Sequence, residues 1–125
     1  MITFKTITDL SKLSRSDPYL SVIQDRLHQL NDTFRPYDPD IHGYVVLVQP
    51  GDTEIDLPEL KSTMADLCFD GVTKRDGHYL AVYLTNNSFA LEFVVPDAEW
   101  LPADVRANLE AHAGDWVPYV KAQLF

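Results

Sequence analysis

Four carboxylates crowd the stretch PGDTEIDLPE: Asp52, Glu54, Asp56 and Glu59 fall within eight residues. Two carboxylates can share acid–base work only when their surroundings push their pKa values apart. An exposed acidic loop gives all four similar surroundings. Helix capping and surface solvation explain most of such a cluster, and a patch that docks on a basic surface is the functional alternative to them. The histidines are scattered: His28, His42, His78 and His112 include no pair at helical metal-site spacing, and H-E-x-x-H does not occur. Asp38, Asp40 and His42 alternate in DPDIH, but Pro39 stiffens that loop and no calcium-loop glycine or closing glutamate follows. G-x-S-x-G, the P-loop and G-x-G-x-x-G are also missing. The sequence thus assigns no catalytic residue, no metal ligand and no cofactor, and it favours a non-catalytic protein.

The lone cysteine, Cys68, lies in ADLCFD. Asp66 and Asp70 disfavour its thiolate, so it reads as a buried structural residue. Without an internal disulfide partner it fits a reducing, cytoplasmic compartment. The start MITFKTITDL has no basic segment followed by an apolar one, and the longest strongly apolar run, YVVLV, is five residues. Neither a secretion signal nor a membrane span is expected.

Charge is the strongest compositional signal. The net charge is −9 over 125 residues, and residues 38–76 hold nine acids against three bases. Such a field repels nucleic acid and anionic membrane and attracts basic proteins. The length fits one domain, residues 1–125. Folding at that size buries roughly two thirds of the chain's surface, enough for a core without a metal or disulfide.

Helices and strands must position these groups. In SDPYLSVIQDRLHQLNDTF, Leu20, Ile23, Leu27, Leu30 and Phe34 form one apolar stripe, with Ser16 or Asp17 as cap and Gln24, Asp25, Arg26 and His28 on the other sides. YVVLV has no alternation, so it predicts a strand buried on both faces. Asp56 and Pro58 suggest the start of a short helix carrying Leu57, Leu60, Met64 and Leu67. CFDGVTKRDG reads as a short strand and turn. Pro102 and Gly114 bracket a second helix with Leu101, Val105 and Leu109 inward, and Asp115 begins a terminal one anchored by Trp116. Trp100 and Trp116 read as locks against the core, with an exposed anchor for a partner as the alternative. The order predicts an α+β fold: an antiparallel meander of 3–4 strands packed with an N-terminal helix and one or two C-terminal helices.

Residues 78–85 and 88–95 read as a hairpin turned at Asn86-Asn87, with two loop residues. That register pairs Leu80 with Phe93 and Val82 with Leu91 on an apolar face. The other face holds Tyr79, Ala81, Tyr83, Ala90 and Glu92. Ala81 opposite Glu92 offers it no partner, which favours exposure. Tyr79 and Tyr83 then form a shelf beside Glu92, either open to a partner or covered by a helix with the alanines making room.

GHYLAVYLTNNSF, with Gly77, Tyr79, Leu84, Thr85, Asn86 and Phe89 in order, resembles the strand–turn–strand stretch of small acidic antirestriction proteins of bacterial plasmids and conjugative elements. Asn87 and Ser88 stand where that family has two glycines, and MADLC upstream is loosely similar. The likeness spans 13 of 125 residues. It implies a non-enzymatic protein that blunts a restriction system, and it designates no contact residue.

The reading expects an acidic inhibitor, immunity or antirestriction-type protein docking on a basic protein partner. Its candidate contacts are Asp52, Glu54, Asp56, Glu59, Tyr79, Tyr83 and Glu92. Two alternatives stand beside it. One is a ligand-binding protein or enzyme with a pocket between sheet and helices, lined by His78, Tyr79, Tyr83 and Glu92. The other is a self-associating module, such as a homodimer through the tyrosine face.

Overall fold

Alternation and its absence decide the sheet. In the computed structural model, which describes residues 1–33, 42–85 and 89–114, the run from Tyr44 to Val48 is buried at every position. It belongs to β2 (His42–Leu47), an interior strand, as a run apolar on both faces requires. The other strands are β1 (Ile2–Phe4), β3 (Glu54–Leu57), β4 (Leu60–Thr63), β5 (Gly71–Arg75), β6 (His78–Leu84) and β7 (Phe89–Pro96). Helix α1 spans Leu20–Thr33, α2 spans Ala103–Ala111, and a 3-10 helix covers Ile7–Lys12.

The fold is α+β, but the sheet is mixed. Five strands lie in the order β1-β2-β7-β6-β5, and β3-β4 form a separate two-stranded sheet. β5, β6 and β7 run as the expected antiparallel meander, whereas β2 joins β7 in parallel and β1 adds an antiparallel edge. The predicted meander of 3–4 strands is corrected on this point. Parallel pairing of segments so distant in sequence leaves no local turn signal.

Gly43 serves that parallel contact. A Cβ there would sit 2.1 Å from the carbonyl oxygen of Ala90, its partner on β7. The β5–β6 turn is Asp76-Gly77, with φ of 44° and 81°, the left-handed geometry that a two-residue hairpin favours.

The expected helix at residues 56–67 is instead the β3–β4 hairpin. TEIDL alternates, with Glu54 and Asp56 exposed and Ile55 and Leu57 buried. That period of two overrides the capping signal, and Pro58 sits in the turn. Cys68 is exposed, correcting its buried reading, because it alternates with buried Leu67 and Phe69 on an extended segment.

The core has two layers. Ile23 and Leu27 of α1 pack with Phe4, Val45, Leu80 and Val94 on one sheet face. Val105 and Leu109 of α2, with Ile55, Met64, Tyr79 and Phe93, fill the other. Asn108 fastens α2 by donating to the carbonyls of Met64 and Leu67, both at 2.9 Å. Phe34, the Asp38–Asp40 segment, the Asn86-Asn87 turn and the terminal helix from Asp115 lie outside the described residues. Among the described residues, no helix is long and apolar enough to cross a membrane.

Candidate functional site

The β3–β4 hairpin divides the four clustered carboxylates. Glu54 and Asp56 project outward, and Asp56 meets Lys61 at 3.3 Å, an exposed pair of little energetic weight. Asp52 turns inward: its Oδ2 is 2.7 Å from the Met1 ammonium and accepts the Gln49 N–H at 2.9 Å. Glu59, in the hairpin turn, accepts the Tyr44 hydroxyl. Burial, with Glu59 adding to it, raises the Tyr44 pKa above its usual value of 10.0. Two of the four acids therefore hold the fold, and two face outward.

A groove of about 260 Å3 opens between the hairpin and α2, lined by Thr53, Glu54, Thr63, Asp66, Asp104 and their neighbours. Its carboxylates come from β3, from the turn after β4 and from the first turn of α2. Thr63 Oγ1 donates to Asp66 Oδ2 at 2.8 Å, and the Val105 N–H donates to Asp104 Oδ1 at 2.8 Å. These bonds orient two acids, and Glu54 has no partner among the described residues. The dipole of α2 brings roughly half a positive charge to its N-terminus, so the groove stays strongly negative. It can receive an ammonium or guanidinium group. Among the described residues no cluster of histidine, cysteine and acidic side chains is arranged to hold a metal ion.

Of the two readings of the tyrosine face, the one covered by a helix fits Tyr79, while the register and the place of Glu92 need correction. Thr85 N–H bonds to the Phe89 carbonyl at 2.8 Å, so three residues separate the paired ends where two were expected. The register shifts by one: Ala81 faces Phe93 and Val82 faces Glu92. Tyr79 is 2% exposed, under α2, and its hydroxyl donates to Glu110 Oε1 at 2.8 Å. Tyr83 is half-buried against the same core. Glu92 is 1% exposed and lies on the opposite face, where Arg26 of α1 meets it. Arg26, read as a surface residue, is itself buried. Burial pushes the Glu92 carboxyl above the usual range, and Arg26 pulls it back. His78, Tyr79, Tyr83 and Glu92 thus do not converge on one pocket: strand alternation sends the tyrosines to one face and His78 with Glu92 to the other.

A second cavity, of about 210 Å3, lies at the carboxyl ends of the parallel strands β2 and β7. Leu47, Val48 and Pro96 form its buried base, and Asp17, Tyr19, Gln49 and Trp100 stand around it. The sequence offers Trp100 as a lock against the core or as an exposed anchor for a partner, and it groups none of these residues into a site. The available signal was indirect: YVVLV lacks alternation and so implies an interior strand, but its parallel partner, beyond whose carboxyl end the crevice forms, is set by tertiary pairing alone.

No protein family, characterised protein or solved structure gives a match to this chain.

Proposed function

We propose that the protein is a non-catalytic acidic docking factor, of inhibitor, immunity or antirestriction type, that binds a basic protein partner through the groove beside the β3–β4 hairpin. The observation that carries this reading is the convergence of Glu54, Asp66 and Asp104 from three separate segments on one concavity of about 260 Å3. Asp56 extends the negative surface from the same hairpin. The net charge of −9 steers a basic partner toward it. Tyr79 and Glu92 act in the core and drop out of the contact set, while Asp52 and Glu59 hold the loop and the hairpin turn that carry the groove.

Capture of basic proteins by the immobilised chain, compared with a Glu54→Lys, Asp104→Asn variant, tests the reading. The wild type should retain a specific basic protein at low salt and release it near 1 M salt, where the Debye length falls to about 3 Å. The variant should fold, by far-UV circular dichroism, and lose that protein. Retention by the folded variant would refute the groove as the docking site.

A further inference from the structure

The cavity at the ends of β2 and β7 has a chemistry of its own. Tyr19 and Trp100 give it two aromatic side chains, Leu47 and Pro96 an apolar floor, and Asp17 a carboxylate. None of its lining residues is a lysine, arginine or histidine. Asp17 Oδ1 accepts the Tyr19 N–H at 2.8 Å, which fixes the carboxylate at the start of α1, and Oδ2 has no partner among the described residues. The α1 dipole adds roughly half a positive charge, against a full negative charge on Asp17. The sum remains negative. Asp97, next to Pro96, is held by Lys74 and Arg106, so it adds no free charge. At about 210 Å3 the cavity is below the roughly 300–1,000 Å3 of sites for drug-sized ligands, and it suits a fragment the size of one side chain.

We infer that this cavity binds an alkylammonium or guanidinium head group carried on a lysine or arginine side chain of the basic partner. The inference rests on the docking reading above. Trp and Tyr faces attract cations, Trp most strongly, and the attraction grows as water is excluded. The aliphatic stem of lysine or arginine suits the Leu47–Pro96 floor. The two concavities flank one loop: Val48 to Pro50 border this one, and Thr53 and Glu54 the acidic groove. Across from the loop, Trp100 precedes α2 and Asp104 lies in its first turn. A partner laid over the loop can place one basic side chain in each.

The test follows the Trp100 indole N–H by NMR, assigned with Trp100→Phe, during titration with tetramethylammonium, a blocked single-arginine peptide, a blocked single-lysine peptide and a blocked norleucine peptide as the neutral control. The inference expects saturable shifts at Trp100 and Tyr19 with the lysine or arginine peptide, at least about tenfold tighter than with norleucine. Asp17→Asn keeps an oxygen for the Tyr19 N–H while removing the charge, so it should weaken the charged peptides several-fold and leave norleucine unchanged. Equal response to norleucine, or response to tetramethylammonium alone, would overturn it. The Glu54→Lys, Asp104→Asn variant should bind these small probes normally. Loss of partner capture with intact probe binding therefore bears on the acidic groove, and the reverse pattern bears on this cavity.

Discussion

Arg26 and Glu92, 66 residues apart in sequence, form a buried ion pair between α1 and the interior strand β7, with Arg26 Nε 3.0 Å from Glu92 Oε1 and the second guanidinium contact on the same oxygen. Glu92 Oε2 has no partner among the described residues. The pair thus fixes where α1 sits on the sheet while leaving part of the carboxylate's desolvation uncompensated. Arg26→Ala leaves a buried carboxylate alone and should destabilise by about 3–5 kcal/mol, whereas the double change Arg26→Met, Glu92→Leu should be neutral or stabilising by about 1–4 kcal/mol. Urea unfolding of the wild type, single and double variants measures both. A double variant as unstable as the single one would show that the pair itself holds the fold.

His78 lies beneath the Tyr19 ring, with centroids 6.1 Å apart in an edge-on arrangement. Burial lowers its pKa below the ordinary 6.5; Arg75 and Arg26 push the same way, and Asp76 opposes them. Between the folded and unfolded pKa values, the unfolded chain binds more protons, so stability rises with pH. The contribution is complete above 6.5 and is lost as pH falls through the folded pKa. The stability of the wild type minus that of His78→Gln should therefore climb as pH rises toward the ordinary 6.5 and level off above it. A difference that stays flat with pH would contradict the buried neutral imidazole.

Gly43→Ala tests the parallel β2–β7 pair. The new Cβ would meet backbone, the Ala90 carbonyl, which cannot swing aside as a side chain can. Overpacking costs about 1–3 kcal/mol, and this case should reach the upper end. Thermal unfolding measures it. A loss under about 0.5 kcal/mol, typical of an open surface position, would argue that the two strands do not pair in this register.

Tyr79 separates core from surface roles. Tyr79→Phe removes the bond to Glu110 and should lose about 0.5–1.5 kcal/mol. Tyr79→Ala should lose about 3–5 kcal/mol, as for other large aromatic truncations in a core. Near-wild-type stability of the alanine variant, by denaturant unfolding, would return Tyr79 to the surface.

Local signals were readable and distant ones were not. The Ile23–Leu27–Leu30 stripe, the unbroken YVVLV run and the Pro102-to-Gly114 helix each announce themselves within one turn or one strand, and α1, β2 and α2 stand there. The parallel partner of β2 lies some fifty residues on, beyond any turn chemistry. The register of β6 on β7 hung on loop length: one more loop residue moves Glu92 from Ala81 to Val82 and turns its side chain to the other face. The carboxylate then finds Arg26 on a helix that no local pattern connects to it. Of the candidate contacts, Glu54 and Asp56 stand out by their acidic clustering, while the alternation in TEIDL that turns them outward is masked by the helix-start signal at Asp56 and Pro58. Asp66 and Asp104 do not stand out, because only tertiary packing brings the turn after β4 beside the start of α2.

Chemical-shift mapping of the whole chain against a lysine- and arginine-rich peptide tests the central claim most directly. The account predicts saturable shifts at Thr53, Glu54, Thr63, Ala65, Asp66 and Asp104, joined by Tyr19 and Trp100 of the neighbouring cavity, fading as salt rises. Non-saturating shifts spread over acidic positions everywhere, or a focus away from the hairpin and the first turn of α2, would contradict it.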